Sequence, residues 1–181
     1  CMSSGRCNIK DDVEELKAKL YGSDGIIFAS PSYGIEPTAR MKNFIKDRIG
    51  MFTVYTSSLA GKYFAGISTA GGIGAKQVAK HMALEFASGF FARGYVSGSL
   101  GVHVGNGSAR EMGGELERAY RLGEKLAGDI RRGKKYPLQL IGKRILTRLM
   151  IRPIILKNIL SHKDHTMKAV YEDLTARGYI T

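Results

Sequence analysis

The sequence predicts an α/β fold built on a parallel sheet, and three observations carry the prediction. Gly25-Ile26-Ile27-Phe28-Ala29-Ser30 is a continuous apolar run without alternation, the pattern of a strand covered on both faces. Strand-like runs alternate with helix-spaced apolar residues as far as Ile130. Turns rich in Gly, Ser and Pro follow the first two strand patterns. A chain of this order returns to its sheet through right-handed crossovers, with helices on both faces.

The elements follow in order. Asp11-Asp12 precede Val13, Leu16 and Leu20 at helical spacing, and Gly22 closes that helix. The apolar run from Gly25 is the first strand. Pro31-Ser32-Tyr33-Gly34 breaks it, and Pro37 is expected to open a helix with Met41, Phe44, Ile45 and Ile49 on one face. Lys62 to Ala70 is the second strand, punctuated by Gly71-Gly72-Ile73-Gly74. A helix with Ala79, Met82, Ala83, Phe86 and Phe90 on one stripe comes next. Tyr95 to Val104 is a Gly-rich third strand. Ser108-Ala109-Arg110-Glu111 reads as a capping box, opening a helix whose stripe is Met112, Leu116, Ala119, Leu126 and Ile130. Three strands are few for such a sheet. The Ile26 strand reads as central, so a portion N-terminal to Cys1 or a partner chain is expected to pair beside it.

After Lys135 the character changes. Leu138, Ile141, Ile145, Leu149 and Ile151 approximate one helical face, Lys143, Arg144, Thr147, Arg148 and Arg152 another, and Pro153 ends or kinks the helix. A last helix is expected from Met167 to Arg177. The division expected is therefore a sheet domain over 1–135 and a basic helical extension over 136–181.

Composition bounds the function. The chain has 181 residues, 44% of them hydrophobic and 24% charged, which suits a folded domain and excludes disorder throughout. The net charge of +12 is uneven: ten Lys and Arg, and no Asp or Glu, lie between Asp129 and Asp164. The remaining chain is close to neutral. No apolar run reaches the roughly 18 residues of a membrane span. Two cysteines, both within the first seven residues, point to a local thiol or metal function rather than a disulfide framework.

In a parallel sheet, ligands bind beyond the carboxyl ends of the strands. The two turns there, Ser30 to Gly34 and Ser68 to Gly74, let backbone amides approach a planar or anionic ligand, with Tyr33 able to stack on a ring. Tight turns alone would also account for the Gly and Pro. Gly71-Gly72-Ile73-Gly74-Ala75-Lys76 lacks the spacing of a phosphate loop, and Gln77 follows the lysine, so ATP binding is disfavoured. His162 and His165 read as part of a solvated linker, and His81 and His103 as structural.

Taken in order, Cys1-x5-Cys7-Asn8-Ile9-Lys10-Asp11-Asp12, Asp24 to Tyr33, Met41-Lys42-Asn43-Phe44-Ile45 and Ser68 to Gly72 resemble the flavodoxin-like NAD(P)H-dependent FMN reductase family, in particular its iron-sulfur flavoprotein branch. The match runs from Cys1 to about Lys134, and Val170-Tyr171 to Gly178-Tyr179 resembles that branch's ending. The resemblance implies a doubly wound parallel sheet of flavodoxin-like type, of which this chain holds the last three strands, with the FMN phosphate loop upstream of Cys1. It implies that Ser30, Pro31, Ser32, Tyr33 and Gly34, with Thr69, Ala70, Gly71, Gly72 and Gly74, contact the isoalloxazine ring. Backbone N–H groups there would stabilise charge on the ring while hydride enters at N5, so no acid-base residue is required.

The resemblance further implies NAD(P)H or a ferredoxin-type donor, and a quinone, free flavin or redox protein as acceptor. A homo-oligomer in the cytoplasm is expected. Cys1 and Cys7 have the spacing of the last pair in that branch's four-cysteine motif, which implies a [4Fe-4S] cluster; ordinary thiols are the alternative. One departure stands out: the family usually has Asp-Arg directly after Phe-Ile, whereas Lys46 intervenes before Asp47-Arg48.

Other classes remain open at this level. A non-enzymatic flavodoxin-type carrier is one, although such carriers are generally acidic. A cofactor-free adaptor for membrane or nucleic acid is another. The basic segment can pack on the body or another subunit, which is favoured, make peripheral membrane contact, or bind nucleic acid, for which no aromatic interleaving speaks.

Overall fold

A computed structural model describes residues 1–180. Helix α1 (Val13–Gly22) leads into β1 (Gly25–Ala29). A small hairpin of β2 (Ser32–Tyr33) and β3 (Glu36–Pro37) follows, then α2 (Ala39–Lys42), a π-helical turn (Asn43–Arg48) and α3 (Gly50–Thr56). Next come β4 (Tyr63–Ala70), α4 (Ala75–Glu85), β5 (Tyr95–His103) and α5 (Gly113–Arg131). The C-terminal region holds α6 (Ile141–Leu146), a second π turn (Thr147–Ile151), α7 (Arg152–Ser161) and α8 (Lys168–Ala176).

The sheet is parallel, in the order β1-β4-β5, with Gly25 opposite Tyr63 and Tyr63 opposite Tyr95. This is the predicted α/β architecture, consistent with a flavodoxin-like fold. A bulge at Ser97 shifts the β4/β5 register between Phe64 and Ala65. It lets Tyr95, Leu100 and Val102 share one face despite their odd spacing. On that face they pack with Leu122 and Leu126 of α5; on the other, Ile26, Phe28 and Phe64 pack with Val78, Met82 and Phe86. Phe28 and Phe64 stack at 6.5 Å. Helix α4 presses on the sheet where glycines allow it. A Cβ on Gly66 would lie 1.9 Å from the Ala79 carbonyl oxygen, and one on Gly101 2.3 Å from the Lys76 nitrogen.

Among the described residues β4 holds the middle of the sheet and nothing pairs with the outer side of β1, the side on which further chain is expected. Burial of β1 is one-sided as well, since Ile27 is 46% exposed. Several expectations need correction. Pro37 does not open a helix. It faces Ser32 across the hairpin, and Thr38 caps α2 by accepting from the Met41 N–H at 3.3 Å. Helix α4 stops at Glu85, so Phe90 lies in the following turn. Ser108 caps only a short 3₁₀ turn, accepting from the Arg110 N–H, and α5 begins afterwards at Gly113.

The extra residue Lys46 coincides with the first π turn, in which the Ile49 N–H reaches back five residues to Phe44 O at 3.1 Å. Widening one turn absorbs the additional residue while Ile45 and Ile49 both stay in the core. The second π turn ends just before Pro153. Proline offers no N–H to the preceding turn and its ring crowds that turn's carbonyls, so the helix widens there and continues instead of ending.

The extension is tied to the body at its start. The Gln139 side-chain amide pairs with Val96 as a strand would, accepting from its N–H at 2.8 Å and donating to its C=O at 2.9 Å. It thereby blunts the open edge of β5. Asp129, wholly buried, accepts from the Tyr136 hydroxyl at 2.5 Å and from Lys125 Nζ at 3.2 Å. Burial opposes ionisation of this carboxyl, but the donors from Tyr136 and Lys125 prevail and hold it below the ordinary carboxylate range.

Because the folded pKa is depressed, this contribution to stability is present above the unfolded pKa near 4 and is lost as pH falls through the folded value. Tyr136→Phe is expected to lower stability by about 1.5 kcal/mol at neutral pH. The deficit should shrink in the most acid range. Urea unfolding of both proteins between neutral and acid pH measures it.

Candidate functional site

The cleft at the carboxyl ends of β1 and β4 is built by two loops. Strand β1 delivers Ser30, whose N–H still donates to Ile67 O at 3.1 Å and so continues the sheet by one residue. The Ser30 hydroxyl accepts from the Thr38 N–H at 3.0 Å and donates to Pro31 O at 3.0 Å, pinning the hairpin's two ends together. The hairpin turns at Gly34 and Ile35, with φ of 58° and 65°. A two-residue turn with both φ positive twists with its strands, but a β-branched residue is strained there.

From β4 the chain runs through Gly71, Gly72 and Ile73 to Gly74, which has φ 101° and precedes α4. A Cβ on Gly74 would stand 2.9 Å from Ile35 Cα and 3.0 Å from Ser32 Oγ. The two loops therefore touch only because residue 74 has no side chain.

Between them lies an open cleft of about 490 Å³ lined by Ser32, Tyr33, Gly34, Ile35, Gly72 and Ile73. Of the residues predicted from sequence, Ser32, Tyr33, Gly34 and Gly72 line this space, and Gly74 packs against it. Ser30, Pro31, Thr69, Ala70 and Gly71 lie at the adjoining strand ends without lining it. Ile35 and Ile73 are additions. Ile73 sits in a glycine run that reads as a bare turn, and Ile35 follows Gly34 in a hairpin too short to show a strand period.

The residues present fit a flat ring that accepts hydrogen bonds. The Ser32 hydroxyl is buried and has no partner. Among the described residues no acceptor takes the N–H of Gly71, Gly72, Ile73 or Gly74. Those groups precede the positive end of α4 and favour negative charge. Tyr33, Ile35 and Ile73 are exposed apolar surface at the rim. Ile35→Asn is expected to raise stability by about 1 kcal/mol by relieving the positive φ, while removing one apolar wall of the cleft. Thermal unfolding of the variant measures the gain.

The cysteines lie elsewhere. Arg48, held by the π turn, donates to Cys7 Sγ at 2.9 Å and forms an ion pair with Asp11. This gives the Asp47-Arg48 pair a role for its arginine: fastening the N-terminal segment to the core. Cys7 N–H donates to Glu14 at 3.2 Å, and Cys1 is exposed. Among the described residues no three His, Cys, Asp or Glu side chains gather to hold a metal ion. Two thiols do not make the four-thiolate set of a [4Fe-4S] cluster, so these residues do not hold one by themselves. His81 pairs with Glu85, and His162 Nδ1 lies 2.9 Å from Asn158 O, both local contacts.

Comparison with known proteins bears on this geometry. A family model described as NADPH-dependent FMN reductase matches residues 1–107, which include both loops of the cleft. An iron-sulfur flavoprotein of Archaeoglobus fulgidus is 34% identical over 183 aligned positions, covering 99% of this chain and 76% of that protein. With its parallel sheet and its open cleft at the strand ends, the chain belongs to the NADPH-dependent FMN reductase family.

Proposed function

We propose that this protein is an FMN-dependent oxidoreductase that takes electrons from NAD(P)H and passes them to a quinone, a free flavin or a redox protein. The observation that carries the reading is the cleft itself. Two loops from adjacent parallel strands meet there, with unpaired backbone donors on one side and apolar surface at the rim. When bound, FMN supplies the redox chemistry, accepting hydride at its N5.

The chain's part is positioning. Gly72 to Gly74 offer N–H groups to the electron-rich edge of the ring, where they stabilise the charge that develops on reduction. The Ser32 hydroxyl supplies one further donor from its buried position. Tyr33 and Ile35 bound the hairpin side, and Ile73 the opposite one, limiting water around the ring. No general acid or base is needed, and among the cleft-lining side chains only that of Tyr33 is titratable.

In this reading residues 1–135 carry the flavin and residues 136–181 are an appended unit. The free edge of β1 and the exposed Ile27 favour pairing with further chain, from this molecule or from a second copy in a homo-oligomer. Cys1 and Cys7 serve as iron ligands only if further thiolates join them, which iron and sulfide analysis of anaerobically purified protein decides. The cytoplasm is the proposed site of this activity.

Steady-state oxidation of NADH and NADPH with FMN and a quinone acceptor tests the function. Flavin-dependent turnover is expected. A protein that binds FMN yet oxidises neither nucleotide without an added reductase would be a carrier instead.

A further inference from the structure

The basic extension takes no part in the flavin cleft, and the structure leaves most of its charges and the apolar side chains of its middle part exposed. Among the described residues, none from Lys134 to Lys163 forms an ion pair. Docking of its apolar side chains on the body is seen at its two ends: Leu140 packs against the core of the sheet domain at the start, and the distal end is covered as well. There Ile159 is fully buried with Phe52, Val170 and Leu174, and Ile155 packs beside them. Further back, Leu149 and Ile154 are each 69% exposed, and Leu138, Ile145 and Met150 are exposed too.

Ile141, Ile145 and Leu149 succeed one another at four-residue spacing, and so do Arg144, Arg148 and Arg152. An apolar row thus runs beside a cationic one. Between this helix and the turn at residues 88–93 lies a groove of about 690 Å³, walled by Phe90, Phe91, Leu138 and Ile145. Arg152 also lines it, with its guanidinium 5.0 Å from the Phe91 ring centre.

We propose that residues 137–160 dock this protein on the surface of a bilayer containing anionic phospholipid, with the apolar row among the acyl chains and the arginines at the phosphates. Charge complementarity selects this occupant. A second copy seated on the same surface would bring two sets of unpaired cations together, with no carboxylate in the segment to offset them. A nucleic acid would use the cations but not the exposed leucines and isoleucines, and residues 137–160 contain no aromatic side chain for stacking on bases. No described helix is long and apolar enough to cross a membrane, so the segment lies on the surface rather than through it.

Each Lys or Arg near an anionic bilayer multiplies affinity about fivefold, so the exposed Lys143, Arg144, Arg148 and Lys157 together contribute a few hundredfold. The long basic side chains reach the phosphates while their stems lie along the apolar row. The proposal is independent of the flavin reading, because it uses no residue of the cleft.

Co-sedimentation of the full chain with vesicles of phosphatidylcholine alone, or with about 30% phosphatidylglycerol, tests it. Binding is expected only to the anionic vesicles and should fall steeply by about 0.5 M salt. Arg144→Glu with Arg148→Glu should weaken binding at least twentyfold, roughly, by the same per-charge factor. Leu149→Ser with Ile154→Ser should weaken it as well. All four side chains are exposed or unpaired, and circular dichroism checks that the variants stay folded. The salt dependence of the unaltered protein gives a readout that needs no variant.

Absence of binding to anionic vesicles, equal binding to neutral ones, or indifference to both double variants would overturn the proposal. So would tighter binding to an oligonucleotide than to the vesicles, or sedimentation of a dimer that Leu149→Ser with Ile154→Ser dissociates.

Discussion

Gly66→Ala is expected to destabilise the protein by about 3 kcal/mol, the upper part of the range for overpacking a rigid core. Gly66 lies in the middle strand, where α4 crosses the sheet, and the added carbon would stand 1.9 Å from the Ala79 carbonyl oxygen and 2.8 Å from its carbon. The obstacle is backbone, so no side-chain rotation relieves it. Helix α4 has to lift from β4, loosening Val78, Met82 and Phe86 from Phe28 and Phe64. Urea unfolding measures the loss. A matched control is Gly72→Ala, where nothing lies within 4 Å of the new carbon and the change should stay within about 0.5 kcal/mol.

Gly74→Ala should leave the protein folded but weaken FMN binding at least tenfold, roughly, since about 1.4 kcal/mol corresponds to each factor of ten. Residue 74 has φ 101°, and its Cβ would press on Ile35 Cα and Ser32 Oγ. Relief requires the hairpin to move away from the β4 loop. That movement misplaces the Ser32 hydroxyl and widens the cleft at once. Its effect on binding should therefore exceed its effect on stability, the reverse of the pattern at Gly66.

The sequence disclosed the parts of the fold that rest on side-chain burial. The runs at 25–29, 63–70 and 95–103 are strands because their apolar residues have to be covered, and the turns after the first two reveal the cleft. It did not disclose what covers the outer side of β1. An apolar run states that a strand prefers cover without stating which neighbours provide it, and Ile27 remains half exposed. The hairpin at 32–37 was hidden because two-residue strands are too short to show alternation, and its turn uses an isoleucine where glycine or asparagine is usual.

Lys46 was visible as an extra residue, but its accommodation by a π turn depends on Ile45 and Ile49 both holding their places in the core. Arg48 was likewise visible, whereas its contact with Cys7 spans 41 positions of sequence. At the C-terminal end the charge was legible and the exposure was not. Helical periodicity shows that a face is apolar, and only the packed structure shows that Ile159 is covered while Leu149 and Ile154 are not.

One FMN is expected to bind in the cleft between the Ser32–Pro37 hairpin and the Gly71–Gly74 loop. Titration of FMN, read by flavin fluorescence, against the protein and against its Gly74→Ala variant tests this. Binding of one FMN per chain with altered flavin emission is expected, with an affinity at least tenfold lower, roughly, in the folded variant. Absence of FMN binding, or equal affinity of the two proteins, would contradict it.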